Sequence, residues 1–124
     1  MQLASNVRFK GNKLVNWPAI VKHSDDAELI YVGDETEWNS DAELCGAEYD
    51  VTDYLIDVSG NIFTLTNIEN RRVIPEPNGN SIALHELLGL IKAHAAQKGS
   101  CCVAKLYAPT IGDAFGIVAS LNEA

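Results

Sequence analysis

Short apolar runs bounded by polar turns occupy the first part of the chain, and an apolar repeat every three to four residues takes over near the end. Residues 17–23 predict a strand that begins after Pro18, where a missing N–H is tolerated, and Glu28–Val32 predicts its hairpin partner across the Ser24–Ala27 loop. Tyr54–Val58 and Asn61–Thr66 predict a second hairpin, whose Ser59-Gly60 connection supplies the positive φ that tight turns need. Between the hairpins, residues 34–46 have neither strand composition nor a long helical stripe. One or two short helical turns are expected there, with Trp38 and Leu44 turned inward.

Residues 71–80, rich in proline and glycine, read as a connection into a helix that starts at Asn80 or Ser81 and runs to about Lys98. Leu84, Leu87, Leu88, Ile91 and Ala95 fall on one face at the helical period, and Gly99 is placed to cap the C-terminus. Cys101–Tyr107 reads as a strand, and Thr110–Asp113 as a capping-box-like opening to a second helix ending near Leu121. The order is hairpin, helical turns, hairpin, helix, strand, helix. It predicts an α+β domain: an antiparallel or mixed sheet of about five strands, two hairpins plus one later strand, with two helices packed on one face. A single domain over residues 1–124 is expected, with residues 1–16 as a loose arm or short edge strand.

Charge sharpens this picture. The net charge of -8 argues against nucleic-acid and anionic-membrane partners, which need a basic surface to displace counterions. Apolar runs long enough to span a bilayer and a basic, apolar leader are both lacking, and the odd number of cysteines, three, fits reduced thiols in a cytoplasm. From His23 through Glu69 there are thirteen Asp or Glu residues and no Lys or Arg. Clustered like charges repel unless a cation or basic partner offsets them. The sharp expectation is a non-enzymatic module that docks a basic protein surface, with Asp34, Glu35 and Glu37 around Trp38 as an aromatic anchor. The plain alternative is a solvated acidic face that keeps the protein soluble.

The thiols carry the second reading, a thiol- or metal-dependent site built from Cys101 or Cys102 with His94. On a strand the two neighbouring thiols point to opposite faces, and Lys105 lies roughly 13 Å from Cys101, too far to activate it. Cysteine as a small buried hydrophobe is therefore the favoured interpretation. His85 and His94 fall on opposite sides of one helix and cannot share an ion. Cys-x-x-Cys and His-x-x-x-His spacings, phosphate loops and nucleophile elbows are missing, so neither metal nor cofactor is expected.

Gly112, Gly116 and Ser120, with Gly89, Ala93 and Ala96, give both helices a smooth side suited to close packing against each other. A helix-mediated homodimer is the alternative use of these residues.

Residues 17–22, the Glu28–Val32 run with Glu37-Trp38 after it, the Asp57–Phe63 hairpin and the His94–Leu106 run resemble a small bacterial family known only as a domain of unknown function. The resemblance extends from Trp17 to Leu121. It implies a bacterial cytoplasmic protein and carries over no catalytic residues.

Overall fold

The computed structural model describes residues 14–100 and 103–123. Strands β1 (Ala19–Lys22) and β2 (Leu29–Val32) form the first hairpin, and β3 (Tyr54–Asp57) and β4 (Asn61–Thr64) the second. Together with β7 (Glu76–Ser81) they make a five-stranded antiparallel sheet in the order β2-β1-β3-β4-β7. A two-stranded ribbon of β5 (Ile68–Glu69) and β6 (Arg72–Val73) stands apart from it.

Strand alternation sends side chains to two separate cores. Ala19, Val21, Val32, Leu55 and Phe63 meet Trp38, Leu44 and Cys45 from the short helices α1 (Glu35–Ser40) and α2 (Ala42–Cys45), together with Val73 of the ribbon. On the opposite side, Ile20, Leu29 and Ile56 meet Leu87 and Ile91 of α3 (Leu84–Gln97) and Ala114, Phe115 and Val118 of α4 (Ile111–Glu123). The two main helices therefore lie on one face, as the periodicity predicts, and the second face is closed by short elements. Each short helix is started by an aspartate: Asp34 accepts the Glu37 N–H at 2.8 Å and Asp41 that of Glu43 at 2.9 Å.

The fifth strand differs from expectation. Residues 76–81 extend along β4, and Pro77 is tolerated because β7 is an outer strand. A register irregularity between Asn61 and Phe63 absorbs the Asn78-Gly79 kink, Gly79 having φ +85°. Helix α3 consequently begins at Leu84 rather than at Asn80 or Ser81, with Glu86 reaching back to accept the Ala83 N–H at 3.0 Å. The predicted strand at Cys101–Tyr107 is not formed over its described part. Val103–Lys105 is a single 3-10 turn and Tyr107 is exposed, while Leu106 and Ala108 tuck into the helix-side core and link the two helices. Cys101 and Cys102 lie outside the described residues.

Two other details refine the helical reading. Leu87, Ile91 and Ala95 are fully buried whereas Leu88 is only half-buried, so the centre of the buried face runs through Leu87. Gly89, Ala93, Ala96, Gly112, Gly116 and Ser120 all face outward, and a Cβ placed at Gly89 or Gly116 would meet no atom within 4 Å. The helices pack through leucine, isoleucine and phenylalanine instead. The C-terminal cap of α3 and the opening of α4 follow the sequence: Gly99 takes φ +80°, and the Thr110 hydroxyl accepts the Asp113 N–H at 3.1 Å.

The second hairpin is organised by one carboxylate. Asp57 is fully buried, and its oxygens accept the N–H groups of Ser59 at 3.0 Å and Asn61 at 2.9 Å, which closes the turn. They also accept the Asn16 N–H at 3.0 Å and the Asn61 side-chain amide at 3.4 Å. Asn16 returns the contact by accepting the Val58 N–H at 3.1 Å, so residues 14–16 run along the domain instead of forming part of a loose arm. Gly60 completes the turn at φ +90°, and its Cβ position would lie 3.0 Å from Ile111 of α4.

Asp57→Asn should destabilise by about 2–4 kcal/mol in denaturant titration, because the amide turns a donor toward N–H groups that need an acceptor. Asp57→Ala should cost a similar amount, and a near-neutral result would remove Asp57 from its organising role. Leu87→Ala should cost ~2–5 kcal/mol, and Leu88→Ala distinctly less.

Candidate functional site

Four aromatic rings run across the face closed by α1 and α2. His23 stacks on Tyr49 with centroids 5.5 Å apart, Tyr49 on Trp38 at 6.4 Å, and Trp38 meets Trp17 at 6.5 Å with planes tilted by 38°. Two of the rings are tied at their polar atoms. The Trp38 indole donates to the Val73 carbonyl at 3.2 Å, and the Tyr49 hydroxyl donates to the Leu44 carbonyl at 2.8 Å. Burial, helped by the negative charges of Asp53 and Asp41 and by Cys45, pushes the Tyr49 phenol up to about 12, so it stays a hydrogen-bond donor.

At the Trp17 end this row opens into a pocket of about 190 Å³. Trp17 and Trp38 line it together with Leu14, Ile74 and Pro75, and Glu35 of α1 stands among the lining residues. Leu14 is 73% exposed and Ile74 36%, so the mouth offers apolar surface to solvent. A wider depression of about 410 Å³ lies on the other face beside Tyr54, Ile62, Glu86 and Leu90. It lacks the paired indoles of the first. Burial there, with the Glu86 charge second, raises the Tyr54 pKa above its ordinary value.

The acidic stretch is mostly exposed. Of its thirteen carboxylates only Asp53 and Asp57 are buried, leaving eleven exposed. Asp34, Glu35 and Glu37 all sit on or beside the first turn of α1, but they are not equivalent. Asp34 caps the helix, and Glu37 accepts the Gly33 N–H at 2.8 Å, while Glu35 alone faces the pocket. Trp38 is 2% exposed. It forms the floor of the site and cannot serve as a protruding anchor, a correction to the sequence expectation that also fulfils its inward orientation. Trp17, Tyr49, His23, Leu14 and Ile74 escaped sequence analysis because they converge from separate loops with no common spacing.

Asp53 holds the far end of the row. It is 6% exposed, and it accepts the Ser24 N–H at 2.8 Å and the Asp50 N–H at 2.7 Å, joining the β1–β2 loop to the segment before β3. Burial pushes its pKa up, but the Asp50 and Ser24 hydrogen bonds and the neighbouring His23 outweigh this and hold it below 3.8.

His94, the described residue of the thiol reading, does not share this surface. His94 is buried on the α3 side of the sheet, with Nδ1 accepting the Leu29 N–H at 3.1 Å, and Cys45 lies in the core of the opposite face. Cys101 and Cys102 belong to the residues left undescribed. Among the described residues, no three His, Cys, Asp or Glu side chains converge on a common metal position, and no helix is long and apolar enough to cross a membrane.

Comparison with known proteins agrees with the fold. Residues 17–118 match the DUF4144 family, described as a protein structure with unknown function, and the chain belongs to that family. No curated protein matches the sequence. The NMR structure of the protein from Shewanella Amazonensis shares the fold with a TM-score of 0.64 at 24% identity, over 90% of this chain and 94% of that one.

Because Asp53 has its folded pKa below 3.8, it contributes stability that is complete above that value and is lost as pH falls through the folded pKa. Asp53→Asn should lower stability at neutral pH by about 1–3 kcal/mol. The gap from the parent should shrink between about pH 5 and about pH 2 in thermal unfolding, and a constant gap would contradict the assignment.

Proposed function

We propose that this DUF4144 member is a non-enzymatic, cytoplasmic binding module that docks a basic segment of a protein partner on the face carrying α1, α2 and the aromatic row. The observation that carries this reading is the coincidence of the exposed carboxylates of α1 and α2, Asp34, Glu35, Glu37, Asp41 and Glu43, with an apolar pocket lined by Trp17 and Trp38. The charges draw a basic partner to the face from a distance and set its orientation. The pocket supplies the desolvated contact that gives such a complex its lifetime. Its volume suits one or two side chains, and the combination of indole faces with Glu35 favours a long cationic side chain whose stem lies on the rings.

The buried carboxylates have no part in this role because they serve the fold. Asp34 and Glu37 accept backbone N–H groups at the start of α1, so neutralising them would disturb both structure and binding. Glu35, Glu43 and Glu48 are exposed and suit a direct test.

A synthetic peptide alternating arginine or lysine with leucine should quench or shift the Trp17 and Trp38 fluorescence on binding. The affinity should fall at least tenfold between about 20 mM and about 300 mM salt. The triple variant Glu35→Gln, Glu43→Gln, Glu48→Gln should weaken binding by a similar factor without changing thermal stability. Affinity that ignores both salt and the triple variant would defeat the proposal.

A further inference from the structure

Strand β2 is an outer strand of the sheet, and outer strands leave a row of backbone groups without strand partners. At Leu29 those groups are satisfied from the helices. Its N–H donates to His94 Nδ1 on α3 at 3.1 Å, and its carbonyl accepts from the Asn122 side-chain amide on α4 at 3.3 Å. Two side chains from two helices therefore close the edge that β1 leaves open.

The chemistry of the closure allows one protonation state. An Nδ1 that accepts an N–H carries no hydrogen, so the neutral ring holds its proton on Nε2. Nε2 faces the Asn122 Nδ2 at 3.4 Å, and that amide nitrogen is a donor already directed at the carbonyls of Leu29 and Val118, the latter at 3.0 Å. A second proton goes to Nδ1 and would set donor against donor at Leu29. The ring is 1% exposed, so solvent cannot take up the charge.

We propose that His94 is an acid-operated latch: neutral, it closes the β2 edge at the Leu29 N–H; protonated, it lets that N–H go and returns β2 to an open, pairing-competent edge.

Among the described residues the charges around the ring are few. Lys98 on its own helix opposes protonation, and Glu28 beside β2 favours it. Asp26, on the same connection as Glu28, is tied to Gln97 of α3 at 3.1 Å, and the α4 residues facing the ring, Val118 and Asn122, are uncharged. Burial is the largest influence and, with Lys98, it holds the folded pKa below the ordinary 6.5 despite Glu28. The closed state is therefore fully favoured above 6.5, and opening gains as pH falls from 6.5 toward the folded value.

The latch is tested on the full chain by amide exchange at Leu29, with Leu55 in the sheet interior as the reference for global unfolding. Once corrected for intrinsic exchange, the Leu29 opening constant should exceed that of Leu55 and rise toward tenfold per pH unit below about 6.5. In His94→Gln, whose side-chain oxygen accepts the same N–H without titrating, the pH slope at Leu29 should vanish. A Leu29 opening constant that equals that of Leu55 at every pH, or that keeps its slope in the variant, would overturn the proposal. Nitrogen NMR of the parent gives a readout that needs no variant: near pH 7.5 the His94 ring should be neutral with its hydrogen on Nε2, and a hydrogen on Nδ1 would refute the latch.

Discussion

A carboxylate with no access to water and, among the described residues, no cation beside it organises the centre of this domain. Asp57 satisfies its oxygens with four N–H bonds, which is how a buried negative charge is tolerated without a partner of opposite sign. Two of these bonds shape the β3–β4 turn, and one pins Asn16 at the entry to β1. The entry in turn sets Leu14 and Trp17 over Trp38, so the pocket inherits its position from a residue that does not line it. Fold and candidate site are thus joined through one side chain.

The sheet separates two kinds of surface. On the α1 and α2 side, the elements are short, held by aspartate caps, aromatic contacts and Asp53, and most of the negative charge lies there. On the other side, two full helices bury a conventional aliphatic core and lend His94 and Asn122 to the edge of β2. The proposed recognition uses the first side and the proposed edge closure the second, and the two share little besides the strands between them.

Sequence patterning made the two hairpins, both main helices, the Gly99 and Thr110 caps and the α+β class legible because each depends on contacts close in the chain. What it hid depended on remote partners. The outer strand Glu76–Ser81 is polar and contains Pro77 and Gly79, so nothing in its composition announces a strand; only the vacant flank of β4 calls it into the sheet. Val103–Leu106 has strand composition yet becomes a turn, because its apolar residues are consumed by the helical layer. The Asn70-Arg71 turn places both residues at positive φ, which asparagine signals and arginine does not. The acidic bias was visible from the start, but the aromatic row beneath it was not, since Trp17, His23, Trp38 and Tyr49 come from four different segments. His94 showed itself as a chemically active residue only by type; its burial and its bond to Leu29 belong to tertiary structure alone.

The alternation of Ala19, Ile20 and Val21, repeated by Leu55 and Ile56, turns the sheet into a partition wall between two hydrophobic compartments. Substitutions on opposite sides of such a wall touch different neighbours, and their effects on stability add with little cross-talk. Descendants of this fold are consequently free to rewrite the charged, aromatic compartment, and with it whatever it recognises, while the helical compartment continues to carry the burden of folding.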